Sequence, residues 1–480
     1  MSKFLILRNR FDFLALGICT LIVFIIFQGQ LSSYLSHDEV PPYYQVAYSF
    51  YLAGPLQFLN ILMHPSATFG HPFIFPMLLG LLMKIFGVGS FIGKIYIFIF
   101  SSFSLYGFFQ LSNLLTKNKF LAAQFSISVI LTANYYINFP LLIGDTALLT
   151  LTIFYLYHLF KRHTKIVIYL AFIIGLTRES FLIYTLSLLV AEYIFQRIEK
   201  KKDPFIYKAI LWSPLSVVLW YLYNLLAEKK FIHSYASFNT NDSSYFDFSF
   251  NYAIPNAINK FQDIFISDPF IGISFLMTIL SLFYFKDLKD SHKRLIIYAF
   301  CINGGTFLLL SFYHVFLDRY LLYSSYLFVL NFLLFLQHKV KKEYLLHTFF
   351  ALPFLSYLFY MPSFNDPHYG KNVNASYELT VQSLQEIYEQ NELASPIVAC
   401  FPQNNFVLNP MGIYPRHGFN IPYYDKFNIP KIDAPYLYLI CDPPLKSKAT
   451  YKQFFQNNDK ELLKEYTKDN QKLQVWKVYL

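Results

Sequence analysis

Long apolar runs recur along most of the first 361 residues, and nothing else in the sequence constrains this chain as tightly. A run of roughly 20 apolar residues crosses the hydrocarbon of a bilayer as a helix, which satisfies its own backbone polar groups. Such runs, several of them shorter than that, read at about 11–27, 92–115, 120–138, 147–160, 166–176, 181–195, 209–227, 269–285, 295–313, 320–336 and 345–361. Charged residues are 14% of the chain and hydrophobic ones 55%, against ~25% charged in soluble domains. A single soluble core, a disordered chain and a disulfide scaffold are therefore excluded. The expected fold class is an all-α polytopic membrane protein of about eleven transmembrane helices, with a small α/β domain at the C-terminus.

The basic residues orient these spans. The N-terminal Lys3, Arg8 and Arg10 precede an apolar stretch too long for a signal-peptide core, so the first span reads as uncleaved. The segment 73–88 is apolar but interrupted by Lys84 and glycines. Keeping it out of the membrane places twenty Lys/Arg on the side of the N-terminus and seven on the other, as the positive-inside bias requires. It therefore reads as part of a long outer loop, about 30–91, with the N-terminus cytoplasmic and the C-terminal region extracytoplasmic. The tail carries twelve Lys/Arg and twelve Asp/Glu, so the net charge of +10 resides in loops and span ends. That distribution reflects topology and argues against a nucleic-acid partner.

From residue 362 the chain turns polar. A helical pattern near 376–390 precedes strand-like runs at 397–401 and 436–441, and 473–479 alternates at the end. Cys400 and Cys441 close two of these runs, which is compatible with a disulfide or with two buried thiols. The four cysteines show no metal-ligand spacing, and no repeat of 20–50 residues is visible.

Charged groups at span ends are costly unless they have a partner or a task. On the outer side they form five clusters: Ser36-His37-Asp38-Glu39, Gly70-His71-Pro72, Gly144-Asp145, Thr177-Arg178-Glu179, and His314 to Asp318-Arg319-Tyr320. Each has a plain structural reading. Ser36 and Glu39 fit a capping box, His71-Pro72 fits a turn, Asp145 or Thr146 fits an N-cap, and Arg178-Glu179 and Asp318-Arg319 fit local ion pairs. Their shared face argues for more. A carboxylate such as Asp38 suits proton removal from an acceptor, and Arg178 and Arg319 suit a departing phosphate. Asp38, Glu39, Asp145 and His71 offer oxygen and imidazole donors for a divalent cation.

The order of these motifs resembles the GT-C glycosyltransferases that use polyprenyl-phosphate sugars, nearest to the protein-mannosyltransferase and aminoarabinose-transferase group. The likeness rests on Asp38-Glu39 followed by a Tyr-rich helix with Ala53-Gly54, on His71-Pro72 leading to Phe86-Gly87, and on Asp145 opening a Leu-rich span. Gly175-Leu176-Thr177-Arg178-Glu179 and Arg319-Tyr320 complete it. It covers roughly residues 1–200 and, with fewer matches, 300–340. Each motif is short; their order and spacing carry the specificity. Three departures stand out: Pro41-Pro42 directly follow the acidic pair, Arg178 replaces a commoner Lys, and Lys94 stands where many relatives carry Arg.

The resemblance implies an inverting glycosyltransferase acting outside the bacterial cytoplasmic membrane or, alternatively, in the endoplasmic reticulum. It would move a sugar from a polyprenyl-phosphate donor to a lipid, glycan or protein acceptor. By the same resemblance Asp38 is the acid–base residue, with Glu39 and Asp145 in the catalytic set. Arg178, Arg319 and Lys94 bind the donor phosphate, and His71, Glu179 and Tyr320 support the site. A divalent metal is left open, with Asp38, Asp145 and His71 as its ligands. A glycan polymerase or ligase of another fold, which would not require the acidic pair after the first span, and a transporter, which would bind its solute mid-membrane, are the alternatives.

Overall fold

The computed structural model describes residues 10–31, 43–44, 46–63, 72–139, 141–200, 202–228, 250–262, 268–312 and 321–340. In the tail it describes 353, 379–380, 382–383, 386–387, 398–400, 436–441, 459–468 and 471–479. Contacts divide the chain into two compact units. One comprises Met1–Phe27, Pro55–Phe75 and Tyr96–Phe364; the other comprises Gln28–Gly54, Pro76–Ile95 and Asn365–Leu480.

Sixteen helices precede the sheet among the described residues. α1 (Arg10–Leu31) and α5 (Ser90–Thr116) are long apolar helices, and α2 (Val46–Leu52), α3 (Pro55–Met63) and α4 (Ile74–Phe86) are short ones between them. The segment 120–138, expected as one span, is broken into α6 (Lys119–Ile130) and α7 (Ala133–Asn138). Thr132 adopts an extended conformation there and returns its hydroxyl to the Val129 carbonyl at 2.8 Å, a local bond that competes with the helix ladder. α8 (Gly144–Phe160), α9 (Thr164–Gly175) and α10 (Phe181–Glu199) follow.

The expected span 209–227 is likewise split, into α11 (Pro204–Leu211) and α12 (Leu215–Glu228). Pro214 sits at the junction and has no N–H to continue the ladder. α13 (Phe250–Phe261), α14 (Pro269–Leu282), α15 (Asp290–Ser311) and α16 (Leu322–Lys339) complete the helices. Asp203-Pro204 and Asp268-Pro269 open α11 and α14 in the same way. The aspartate accepts from Ile206 N and from Ile271 N respectively, and proline occupies the first turn.

Ten of the eleven expected spans coincide with helical segments, but the count of eleven is not reproduced. Among the described residues, four segments are long and apolar enough to cross a membrane: Phe11–Gln28, Phe91–Thr116, Phe181–Glu199 and Pro204–Ala227. Several of the others are short; α9, with 12 residues, is about 18 Å long at 1.5 Å per residue. The eleventh segment, 345–361, lies almost wholly outside the described residues. α4, with 13 residues, is about 20 Å long, too short to cross ~30 Å of hydrocarbon.

The helical unit is organised around α16 and α8. Every residue from Leu322 to Leu336 is buried, so α16 has no lipid face. It is tied in by polar side chains that replace solvent. Asn303 donates to the Ser324 carbonyl at 3.1 Å, Ser324 Oγ donates back to Asn303 Oδ1 at 2.8 Å, and Asn331 donates to the Leu295 carbonyl at 3.3 Å. α10 and α15 pack tightly at Gly305, where an added Cβ would stand 2.1 Å from Ser187 Oγ. The C-terminal part of α10 and the N-terminal part of α15 are joined by ions. Arg294 Nε lies 3.0 Å from Glu192 Oε2 and Arg294 Nη2 donates to Asp203 Oδ2 at 3.4 Å, while Tyr298 donates to Glu192 at 2.7 Å.

In the second unit, Lys84 Nζ of α4 donates to the Ala53 carbonyl at 2.7 Å, and Gly80 lets α4 approach the backbone of Ala47. The tail forms a four-stranded sheet of β1 (Val398–Cys400), β2 (Tyr436–Cys441), β3 (Lys460–Lys468) and β4 (Gln471–Tyr479) in the order β1-β2-β4-β3. β1 runs parallel to β2 and the other pairs are antiparallel, with an irregularity in β3 between Leu462 and Lys464. Tyr438, Ile440, Tyr466, Leu473 and Val475 pack with the helical positions Leu379 and Ile387. The three strand-like runs expected from sequence are present, and the described positions within 376–390 (379–380, 382–383 and 386–387) are helical; β3 was not expected. Cys400 registers with Ile440, not with Cys441.

Candidate functional site

Two of the five outer clusters meet, although 33 positions separate them in sequence. Asp145 stands in the first turn of α8, one residue after Gly144. The N-cap position is Ile143, with no side-chain cap, so Asp145 does not serve the capping role that its sequence position allowed. Its carboxylate instead faces Arg178 in the turn between α9 and α10. Arg178 Nε donates to Oδ1 at 3.3 Å and Nη2 lies 3.5 Å from Oδ2. Nη1 lies 3.5 Å from Oε1 of Glu179.

The turn that presents Arg178 is held by its backbone. The N–H groups of Thr177 and Arg178 both donate to the Ile174 carbonyl at 2.9 Å, and the Thr177 hydroxyl donates to the Ile173 carbonyl at 2.8 Å. Gly175 is required just before it. An added Cβ would fall 1.9 Å from Ser216 Oγ, so α12 packs where any side chain would stand. The Leu176 carbonyl accepts from Ile74 N at 3.1 Å, which fastens the start of α4 to the same turn.

Burial makes the arrangement consequential. The Asp145 side chain is 1% exposed, that of Arg178 8% and that of Glu179 26%. Charges this far from water persist only when paired. Two carboxylates against one guanidinium leave the group formally negative, and Glu179 is the more exposed of the two partners. Tyr323 of α16 lies within electrostatic reach of both Asp145 and Arg178, its hydroxyl 3.1 Å from Thr306 Oγ1 and its ring 5.9 Å from that of Tyr184. Sequence reading missed Tyr323 and Thr306. Their signal was present, since Tyr323 is one turn beyond Arg319-Tyr320 and Thr306 lies one turn beyond Asn303 on α15.

Lys94, expected at the donor phosphate, is 3% exposed near the start of α5. Asp38, Glu39, His71, Arg319 and Tyr320 lie outside the described residues. Of the donors expected for a divalent metal, Asp145 alone is described, with both oxygens facing Arg178, while Asp38 and His71 lie outside the described residues. Among the described residues no group of three His, Cys, Asp or Glu side chains converges.

No family model matches the chain, and no curated protein sequence matches it. Solved structures do. The crystal structure of ArnT from Cupriavidus metallidurans bound to undecaprenyl phosphate superposes with a TM-score of 0.54 at 10% identity, covering 97% of both chains. The apo structure of the same protein gives 0.53 at the same identity and coverage. The chain has the ArnT fold. That fold agrees with the architecture implied by the order of the motifs, and the ArnT-like fold and apolar helices together make this a multi-pass membrane protein.

Proposed function

We propose that this ArnT-like protein is a membrane glycosyltransferase that moves a sugar from a polyprenyl-phosphate donor to an acceptor on the outer face of a bacterial cytoplasmic membrane. The observation that carries this reading is the buried guanidinium of Arg178, flanked by Asp145 and Glu179 at the ends of α8 and α10, in a chain with the fold of a protein crystallised with undecaprenyl phosphate.

In this reading Asp38 removes the proton from the acceptor hydroxyl or amine as that atom attacks the anomeric carbon. The carbon–oxygen bond to phosphate breaks, its electron pair leaves with polyprenyl phosphate, and attack from the opposite face inverts the configuration. Positive charge at the leaving oxygens lowers the barrier, because charge develops there in the transition state. Arg178 supplies it once the donor phosphate displaces Glu179 from Nη1, while Asp145 keeps the guanidinium plane fixed through Nε and Nη2. Arg319 and Lys94 are further cations for the same phosphate, and Glu39, His71 and Tyr320 shape the outer side. No step is assigned to a metal ion.

Purified protein incubated with a radiolabelled polyprenyl-phosphate sugar and an acceptor extract is expected to release polyprenyl phosphate. Asp38→Asn is expected to abolish release without changing the amount of folded protein; full activity in that variant overturns the mechanism. Arg178→Lys keeps the charge but loses the planar fork that meets Asp145. It should lower turnover by about 10²-fold, the scale for one transition-state donor, and an unchanged rate would remove Arg178 from the chemistry.

A further inference from the structure

The C-terminal ends of α8 and α10, opposite the ends that form the site, carry a second charged region. Arg162, in the turn between α8 and α9, lies 3.0 Å from Asp203, which opens α11 just after α10. That bridge sets two sequence-distant turns side by side. The acids there are already engaged: Asp203 by Arg162 and Arg294, Glu192 by Arg294, and Glu199 by Lys293 at 3.0 Å. Lys161, Lys165, Lys200 and Lys202 of the same turns are exposed. The region therefore keeps a concentrated positive charge after its internal pairing is complete.

Two further observations point to phosphate-bearing headgroups. Tyr193 and Tyr207, beside these turns on α10 and α11, are 51% and 39% exposed, as interfacial tyrosines are at headgroup depth. The non-glycine residues with left-handed backbone among the described residues are Lys117, Arg162 and Lys200, at φ of 57°, 58° and 52°. Each follows the inner end of a helix, where glycine is the unstrained choice. All three are cations, so charge is kept at these positions at the expense of backbone strain.

We propose that the joined α8–α9 and α10–α11 turns bind the headgroup of an anionic phospholipid in the leaflet they face. The lysines supply the charge, and the Arg162–Asp203 bridge holds the two turns at the spacing of one headgroup site. Only the naming of that leaflet as the cytoplasmic one rests on the orientation proposed above.

The test is lipid retention by the purified full chain in phosphatidylcholine nanodiscs doped with phosphatidylglycerol, read by native mass spectrometry and by melting temperature. The wild type should retain phosphatidylglycerol preferentially and melt higher as its fraction rises. The combined variant Lys161→Gln, Lys165→Gln, Lys200→Gly, Lys202→Gln should lose that preference. Each cation near an anionic surface is worth about fivefold in affinity, so a loss of at least about tenfold is expected after screening. In pure phosphatidylcholine the same variant should melt no lower than wild type, because Lys200→Gly relieves the left-handed strain. Equal retention by the two proteins overturns the proposal and leaves these lysines as determinants of topology alone. Neither donor nor acceptor is present, so the outcome is independent of the transferase reading.

Discussion

Removing the Glu192 carboxylate tests whether the C-terminal part of α10 and the N-terminal part of α15 are held by charge or only by packing. The Glu192 side chain is fully buried and that of Arg294 is 11% exposed, with Nε to Oε2 at 3.0 Å and Nη2 to Oε1 at 3.2 Å. Gln196 and Tyr298 donate to the same carboxylate at 2.9 and 2.7 Å. Unit charges about 4 Å apart attract by ~4 kcal/mol at an effective dielectric constant near 20. Truncating one partner of a buried pair costs ~3–5 kcal/mol, chiefly because the other charge is stranded. Here Arg294 keeps a contact to Asp203 at 3.4 Å and its guanidinium lies 4.3 Å from the Phe195 ring, which places Glu192→Ala near the lower end, about 3 kcal/mol. The double variant Glu192→Leu/Arg294→Met should recover most of that, since it strands neither charge and Asp203 still has Arg162. Reversible unfolding in mixed micelles at fixed lipid composition measures all three. A wild-type midpoint for Glu192→Ala, or a double variant as unstable as the sum of the singles, would refute the electrostatic account.

Two further outcomes follow from particular contacts. Gly305→Ala should destabilise the α10–α15 crossing by ~1–3 kcal/mol through overpacking, because its Cβ would meet Ser187 Oγ at 2.1 Å. Ser187→Ala in the same chain should restore most of the loss, while Gly304→Ala, with nothing within 4 Å, should be neutral or stabilising in a helix; the same unfolding assay reads all three. In the tail, Lys464 and Tyr466 donate to Glu386 and hold its carboxyl below the usual carboxylate range. A depressed folded value means that this stabilisation is full above the ordinary value of 4.5 and is lost as pH falls through the folded one. With Trp212 and Trp220 replaced by Phe, Trp476 fluorescence should report a denaturant midpoint that falls as pH drops below the ordinary value of 4.5. Glu386→Gln should start lower and lack that component, and parallel slopes in the two proteins would rule the pair out.

The membrane class, the positions of most helices and the expected fold were readable because apolar run length and charge asymmetry act locally along the chain. Breaks were harder to read. Thr132 interrupts 120–138 through one hydroxyl-to-carbonyl bond, and Pro214 splits 209–227 although the flanking residues remain apolar. The strand Lys460–Lys468 was missed because its alternation is almost wholly exposed; as an edge strand it buries mainly Tyr466. At the site, sequence supplied Asp145 and the Arg178-Glu179 pair as separate clusters. Tyr323 and Thr306 escaped notice because a hydroxyl inside an apolar helix looks like ordinary core until the fold sets it beside an ion pair.

The pairing of Arg178 bears directly on how such a site would work. A guanidinium already bridged to two carboxylates is a poor trap for a stray anion, since any phosphate must displace one of them. The two partners are unequal in this respect. Asp145, almost without solvent contact, meets Nε and Nη2 from the first turn of α8, where the helix dipole also favours its charge. Glu179 meets Nη1 alone and is partly open to solvent, so its release costs less. Exchange of Glu179 for a lipid phosphate would therefore leave the buried pair intact and conserve the local count of negative groups, and the guanidinium would keep its orientation through the exchange. Arg178 would then discriminate by what remains attached to the phosphate. An ester bound to a polyprenyl chain can stay anchored in the membrane beside α10, whereas a small soluble phosphate must compete with Glu179 unaided.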